Sequence, residues 1–455
     1  MMKKQKALGG ILCTLLVLSC LTACSTENSQ LLTDKVHIEV VGNAPEEAYI
    51  SRQELFLKET GATFEYVPWS DDGEFFNAKL LAGELPTIYP MPGEKIPSLI
   101  RNGCCRDITQ QLKERGWDTQ MMPVLKETVT GEDGRIYGVP CFADPVGILC
   151  NVDVFRAAGL TDENDMPQYP TSWDEMLEVC KTIKEKTGIQ GLAISASDYT
   201  SGMYWANIAW NYGADLCAVD EDGNAVSQLN SPEAVTAMEL IQKMVQSGYV
   251  FGDPCLDTAG AAYRAVDAGT AAMTFGTIGT VAELTMDPED LAVVPVPAGN
   301  TDEFVLVTGS YWLFAPDATD EEVDKALEYI ELFSESPVQN ATRTNVVIQE
   351  AAERVKNGMI YLPHIPCYTG TETADYLALT ETYIVLQPER YTAFYEVCGK
   401  WSGLCGEEAG DNLMMYHELA AVLQEIFVNP EADVQELMNV ADENYQIHLD
   451  MAALE

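Results

Sequence analysis

The sequence predicts an α/β fold with extra helices packed at its C-terminal end. Near the start, short apolar runs suited to buried strands alternate with segments of helical pattern that end at glycine. This alternation predicts a mainly parallel sheet covered on both faces. From about Asp411 onward the pattern is almost entirely helical. The strand candidates are 36–41, 63–67 and 85–89, and the helix candidates between them are 46–60 and 72–83.

Three later helices have clear start signals. Ser172 precedes Glu175 by three residues, which is a capping-box pattern, and Trp173 falls on the inward apolar face of that helix. Ser231 followed by Pro232 opens a second helix, and Thr319 with Glu322 opens a third. We therefore expect Trp173 to be a core residue.

Length and charge limit the classes of function. A chain of 455 residues exceeds the usual size of one hydrophobic core, so at least two lobes are expected. With 71 acidic and 26 basic residues the formal net charge is −45, which opposes binding to nucleic acid phosphates. A solvated acidic surface is the simplest interpretation, and a cationic ligand is the alternative.

The N-terminus has the pattern of a secretory signal. Lys3, Lys4 and Lys6 precede an apolar run over 7–21, which is too short for a comfortable membrane span. Leu21-Thr22-Ala23-Cys24 then resembles the bacterial lipobox, in which the cysteine is acylated. This predicts a lipoprotein signal peptide over 1–23, lipidation of Cys24 and a polar tether over 24–34, with the protein held outside the cell membrane. An ordinary signal peptide with an incidental cysteine is the alternative.

Cysteines and histidines give no sign of a metal or cofactor. Ten of the 13 cysteines lie beyond Cys24, and they form no C-x-x-C pair. We expect most of them to be free thiols, with a disulfide between Cys398 and Cys405 left open. The four histidines are dispersed without the spacing of metal ligands, so no metal site and no cofactor are expected.

Six segments carry a resemblance to a known family. In chain order they are Lys79–Pro86, Asp133–Pro140, Gly147–Leu160, Pro170–Met176, Ala265–Met273 and Val294–Gly299. Together they resemble the motifs of family-1 extracellular solute-binding proteins, the maltose-binding-protein-like family. Thr87, Cys150 and Ile278 depart from the residues usual in that family.

The resemblance implies a periplasmic-binding-protein-like (type II) clamp of two α/β lobes that closes on a ligand. One lobe would comprise 35–140 and 296–310, and the other 141–295 and 311–455 with the C-terminal helices. Hinge crossings would lie near Cys141-Phe142, Pro295 and Ser310. It further implies a monomeric, non-enzymatic protein that binds a small solute, most often a sugar or oligosaccharide, and delivers it to an ABC-type membrane permease.

Candidate ligand-binding residues are aromatic or acidic side chains on expected loops and crossings. Aromatic rings suit the apolar faces of sugars and carboxylates suit their hydroxyls, and loops after strands are where open α/β sheets bind ligands. The resemblance favours Tyr204 or Trp205 as a stacking ring. The candidates are Trp69, Asp71, Phe142, Asp144, Tyr199, Tyr204, Trp205, Phe275, Tyr311 and Trp312.

Two other functions stay open at this point. In the first, the chain has the same fold but binds a peptide, a polyamine or another non-sugar solute. In the second, the chain is a lipid-anchored glycoside hydrolase that uses two carboxylates. No G-x-S-x-G or H-E-x-x-H pattern supports an enzyme.

Overall fold

A computed structural model describes most of the chain between residues 35 and 452. The described residues are 35–70, 73–221, 223–251, 258–299, 304–370, 373–400, 404–406, 408 and 410–452. The predicted signal peptide, the lipidation site Cys24, the tether and the candidate Asp71 lie outside these residues.

Strands and helices alternate through most of the chain, and the last segments are helical. The strands are β1 His37–Val41, β2 Thr63–Val67, β3 Ile88–Pro92, β4 Gly138–Pro145, β5 Gly147–Asn151, β6 Gln190–Ala193, β7 Cys217–Val219, β8 Ala225–Ser227, β9 Val250–Phe251, β10 Ala271–Gly276, β11 Leu291–Val294, β12 Val305–Phe314 and β13 Leu404–Cys405. The α-helices are α1 Glu46–Thr60, α2 Gly73–Ala82, α3 Ile96–Arg101, α4 Thr109–Arg115, α5 Pro123–Thr128, α6 Val152–Ala158, α7 Trp173–Thr187, α8 Tyr199–Asn211, α9 Pro232–Gln246, α10 Ala259–Asp267, α11 Ile278–Val281, α12 Asp320–Phe333, α13 Ala341–Lys356, α14 Thr373–Thr380, α15 Thr392–Cys398, α16 Asn412–Val428 and α17 Val434–Ala452. Short 3-10 turns cover Gly93–Lys95, Trp117–Thr119, Pro288–Asp290, Glu381–Tyr383 and Pro388–Arg390.

The chain divides into two compact units. The first comprises the described residues up to Tyr89 together with Asp317–Leu332, and the second comprises Pro90–Pro316 together with the described residues from Phe333. The boundaries of these units differ from those of the two lobes expected from the family resemblance. The lobe boundaries therefore stay a prediction.

The first unit is built on parallel strands covered by aromatic side chains. β1 pairs in parallel with β2 from His37 opposite Thr63 onward, and β1 also pairs in parallel with β3. The Phe56 ring on α1 meets the Phe64 ring edge-on at 5.5 Å, and the Tyr329 ring on α12 lies 5.0 Å from Phe64. Edge-to-face contacts of this kind add to the apolar area that the strands bury.

The second unit contains a five-stranded sheet in the order β11-β5-β10-β6-β9 and a long β4–β12 ladder. β6 runs parallel to β10 and β9, but β5 runs antiparallel to both β10 and β11. The expectation of a mainly parallel sheet is therefore wrong for this unit. A strand buried on both faces reads as a continuous apolar run in either direction, so its residue pattern does not reveal its direction.

Helix boundaries follow the start and stop signals closely. The Ser172 hydroxyl accepts a hydrogen bond from the Glu175 amide, and α7 ends at Gly188 with φ 77°. The Glu175 carboxylate accepts from the Thr171 amide at 2.8 Å instead of from the Ser172 amide, so the capping box is shifted by one residue. Trp173 is 1% exposed, which confirms its assignment to the core.

Two buried asparagines of α8 fix the beginning of β12. The Asn207 side-chain oxygen accepts from the Leu306 amide at 2.9 Å, and the Asn211 amide group donates to the Phe304 carbonyl at 2.8 Å. Both asparagines are almost completely buried, so the polar groups that they carry are satisfied where water does not reach. The α8 helix therefore sets the position of the long β12 strand.

Two further features bear on the sequence-based expectations. The described cysteines with described side chains are free thiols, and Cys398 is among them. Within the residues that the structure describes, no helix has the length and apolar character needed to cross a membrane. The thiol finding confirms the expectation of mostly free cysteines for that part of the chain.

We predict that Gly202→Ala lowers stability, because α8 and α16 pack backbone to backbone at this position. An added Cβ would lie 2.2 Å from the Tyr416 carbonyl oxygen, which is rigid main chain. We expect a loss of about 1–3 kcal/mol in the free energy of unfolding, measured by urea denaturation.

Gly260→Ala on α10 is the matched control. An added Cβ there meets the end of the flexible Arg264 side chain at 3.3 Å and the Thr258 hydroxyl at an ordinary contact distance of 3.7 Å, so unchanged or slightly increased stability is expected. Equal urea midpoints for the two variants would contradict the close packing of α8 against α16.

Candidate functional site

Asp144 ties the β4 strand to the glycine-containing segment after β10. One carboxylate oxygen accepts from the Ile278 amide at 2.8 Å, and the other accepts from the Gly279 amide at 3.0 Å. Asp144 is only 6% exposed, and an added Cβ at Gly279 would lie 2.8 Å from its carboxylate. The predicted binding residue Asp144 therefore holds the start of α11 in place, and both of its oxygens accept from main-chain donors.

Phe142 and His364 lie beside Asp144. The Phe142 and His364 rings are 4.9 Å apart at 31°, and His364 Nδ1 lies 3.7 Å from a carboxylate oxygen of Asp144. Phe142 is 37% exposed, so part of its ring remains open. Phe142 and Asp144 thus both lie beside His364, a residue that sequence reasoning did not select.

Tyr199 forms a second polar group with Glu94. The Tyr199 hydroxyl donates to the Glu94 carboxylate at 3.1 Å, and its ring lies 5.7 Å from the His417 ring. Glu94 is 6% exposed, whereas Tyr199 is half-buried. Asp198 positions Tyr199 by capping α8, since its side chain accepts from the Thr200 amide.

Sequence reasoning missed Glu94, His364 and His417. For Glu94 a signal existed, because the residue follows directly after β3, and loops after strands are where open α/β sheets bind ligands. His364 and His417 had no such signal. Each reaches its partner from a distant part of the chain that has no motif of its own.

Three aromatic candidates are packed inside the second unit. Tyr204 stacks on Phe275 at 5.5 Å and 13°, and its hydroxyl lies 2.6 Å from that of Tyr263. Burial raises the pKa of Tyr204 well above its ordinary value, which keeps the hydroxyl protonated. Trp205 is completely buried and Phe275 is 1% exposed, so neither ring offers a free face to a solute in this structure. Tyr204, Trp205 and Phe275 are therefore packed in this structure, and as ligand contacts they stay predictions.

The remaining candidates occupy other positions. Tyr311 is 1% exposed, while its neighbour Trp312 is half-buried and donates from its indole nitrogen to the Ser334 hydroxyl at 2.9 Å. Trp69 belongs to the first unit, where it stacks on Tyr89 at 5.3 Å and 26°. Trp69, Tyr311 and Trp312 stay predictions as ligand contacts.

The site region has no sign of a metal centre. Among the residues that the structure describes, no group of three or more histidine, cysteine, aspartate or glutamate side chains is arranged to hold a metal ion. The arrangement instead offers a buried carboxylate, partly open aromatic rings and imidazole nitrogens. Such groups bind hydroxyls and apolar ring faces.

Comparisons with known proteins place the chain in a family. The profile described as bacterial extracellular solute-binding protein matches residues 54–347. A binding protein of Brucella abortus strain 2308 is 24% identical over 190 residues, which is 41% of this chain and 42% of that protein. The match therefore spans less than half the length of this curated relative.

Solved structures share the fold over nearly the whole chain. The solute-binding protein of an ABC transporter from Thermotoga lettingae, bound to α-D-tagatose, has a TM-score of 0.69 at 18% identity and covers 91% of this chain and 99% of its own. The sugar-binding protein MalE of Xanthomonas citri has a TM-score of 0.69 at 14% identity, with coverages of 92% and 98%. These likenesses confirm the α/β fold, and the profile match confirms the resemblance to extracellular solute-binding proteins that the motifs indicated. The chain belongs to the bacterial extracellular solute-binding proteins.

Proposed function

We propose that the chain is an extracytoplasmic lipoprotein that binds a sugar or oligosaccharide and delivers it to an ABC-type membrane importer. Family membership supports solute binding outside the cytoplasm. The structurally similar proteins from Thermotoga lettingae and Xanthomonas citri are sugar binders by their descriptions, which supports a sugar as the solute class.

The observation that carries the proposal is the Glu94–Tyr199 pair. Glu94 is 6% exposed and accepts a hydrogen bond from the Tyr199 hydroxyl at 3.1 Å, so its carboxylate is placed where it binds a hydroxyl donor. The half-buried Tyr199 ring beside it offers an apolar surface of the kind that covers sugar C–H groups. Hydrogen bonds to charged groups contribute about 1.5–3 kcal/mol each. A few of them therefore account for a binding free energy of about −8 kcal/mol, which corresponds to micromolar affinity.

The hydrogen bonds of Asp144 argue against this residue as a catalytic carboxylate of the hydrolase alternative. A general acid or base needs a carboxyl oxygen free to exchange a proton with the substrate. Both Asp144 oxygens accept hydrogen bonds from main-chain amides, so this residue is engaged in holding the start of α11. We therefore propose a solute that is bound and released chemically unchanged.

We expect titration calorimetry to detect a neutral sugar at micromolar affinity. The panel is α-D-tagatose, maltose, lactose, putrescine and a tetrapeptide, each titrated into the purified protein. Chromatography of the recovered sugar checks that it is unaltered. Binding of putrescine or the peptide alone, or hydrolysis of a disaccharide, would reject the proposal in favour of one of the alternatives.

We predict that Glu94→Gln weakens sugar affinity about tenfold, because a neutral acceptor replaces a charged one and loses about 1–1.5 kcal/mol. The measurement is calorimetry with the sugar identified in the panel. Glu84→Gln is the matched control, since Glu84 is an exposed carboxylate that pairs with Lys79 at 3.0 Å. An unchanged affinity in Glu94→Gln would remove Glu94 from the binding site.

We predict that Cys24→Ser releases the protein from the membrane, because the hydroxyl cannot carry the thioether-linked lipid. Detergent phase partitioning of the protein expressed in a bacterial host provides the measurement. Cys20→Ser, at the other nearby leader cysteine, is the control and is expected to stay in the detergent phase. If the two variants partition alike, Cys24 is not the lipid attachment site.

A further inference from the structure

Cys141 and Cys367 belong to two segments that meet as antiparallel neighbours. Ala143 of β4 and Ile365 form an antiparallel bridge. Cys141 lies two residues before Ala143, and Cys367 lies two residues after Ile365. Residues displaced equally from an antiparallel bridge, in opposite chain directions, stand opposite each other with their side chains on the same face. The register therefore brings together two thiols from distant parts of the chain.

Main-chain hydrogen bonds hold the Cys367 segment in this position. The Met122 amide donates to the Cys367 carbonyl at 2.8 Å, and the Thr369 amide donates to the Gln120 carbonyl at 2.7 Å. The Cys367 side chain is completely buried, so its thiol faces protein and not water. Negative charge on Cys141 contributes to the raised pKa of Cys367, as expected of two sulfur atoms that lie close together. The register and the electrostatics thus agree that the two thiols are neighbours.

Cys141 is the extra residue of a β-bulge and borders a cavity. On β12, Ser310 faces Phe142 and Tyr311 faces Pro140, so Cys141 has no opposite residue in that ladder. Cys141 is half-buried and lines a cavity of about 60 Å³ beside Phe142. Such a cavity has room for a few molecules of the size of water. A small oxidant such as hydrogen peroxide therefore fits beside the Cys141 thiol, whereas a tripeptide such as glutathione does not.

The spacing of opposite residues in antiparallel segments suits a disulfide bond. Such residues have Cα atoms about 4.5–5.5 Å apart, and disulfides span Cα separations of about 4.4–6.8 Å. Both cysteines are free thiols in this structure, which thus describes the reduced state. A member of an extracellular family meets oxidising conditions that the cytosol keeps away from thiols.

We propose that Cys141 and Cys367 form a disulfide bond when hydrogen peroxide oxidises the protein. The Cys141 sulfur attacks one peroxide oxygen, so that an S–O bond forms, the O–O bond breaks and the leaving hydroxide takes up a proton to become water. The Cys367 sulfur then attacks the sulfur of the resulting sulfenic acid, so that the S–S bond forms, the S–O bond breaks and a second water leaves. Two thiols together lose two electrons and two protons, and one peroxide is reduced to two waters.

Burial sets the order and the rate of these steps. It raises the pKa of both thiols well above the ordinary value. The hydrogen bond with Ser310 lowers the pKa of Cys141 in part, whereas the Glu335 charge raises that of Cys367 further and the weaker effect of Arg343 lowers it. Because the thiolate is the reactive form, Cys141 reacts first and Cys367 resolves the sulfenic acid. Since thiolate is scarce at neutral pH, we expect the bond to form over hours and not seconds.

The disulfide would join β4 to the segment that carries His364. The His364 ring lies 4.9 Å from the Phe142 ring, and Phe142 follows Cys141 directly. A covalent tie between Cys141 and Cys367 would therefore hold the two rings in their present arrangement. The inference concerns the redox chemistry of the protein and stands whichever solute binds.

Peptide mapping of the purified protein tests the pair directly. The protein is treated with hydrogen peroxide, the remaining thiols are blocked in denaturant, and trypsin is added without reduction. We expect a link between the peptides Ile136–Arg156 and Asn357–Arg390, which dithiothreitol breaks. Peroxide-treated protein without this link, with Cys141 either unmodified or oxidised to a sulfinic acid, would overturn the proposal.

Two alanine variants identify the cysteine of the first peptide, since Ile136–Arg156 contains both Cys141 and Cys150. Cys150→Ala on β5 is the matched control and is expected to keep the link. Cys141→Ala is expected to lose it and to leave Cys367 open to blocking. A link that persists in Cys141→Ala would assign the bond to Cys150 and reject the pair.

Thermal unfolding tests whether the bond fits the fold. A disulfide between distant residues restricts the unfolded chain, so the oxidised protein is expected to melt at a higher temperature than the reduced protein. Cys367→Ala is expected to show no such rise after the same peroxide treatment. A linked protein that melts at a lower temperature than the reduced one would contradict the opposed register, because the bond would then strain the fold.

Discussion

The arrangement of the candidate site depends on the hydrogen bonds that Asp144 accepts from the Ile278 and Gly279 amides. They join the β4 strand to the start of α11, two segments more than 130 residues apart in sequence. Hydrogen bonds from main-chain amides to a carboxylate are strong where water is excluded. Phe142 lies two residues before Asp144 on the same strand, so the contact between Asp144 and α11 also sets the position of the partly exposed Phe142 ring. His364 lies beside that ring, and its surroundings depend on the same contact.

The aromatic residues divide into two groups by what covers their faces. Trp173, Trp205 and Phe275 are buried by other side chains, so their contribution is apolar area and packing. Phe142 and Tyr199 keep part of their rings open, and each has a polar neighbour, His364 and Glu94 respectively. Sugars present apolar faces next to hydroxyl edges, so an open ring beside a hydrogen-bonding group is the more informative feature.

The local elements were predictable from the sequence, and the long-range partners were not. Caps such as Ser172 and glycines such as Gly188 act within one helical turn, so residue spacing reveals them. The antiparallel direction of β5, the Glu94–Tyr199 contact and the approach of His364 to Asp144 depend on how distant segments meet. Trp205 illustrates the limit, because helical spacing places the ring on α8 but does not say whether another helix covers it.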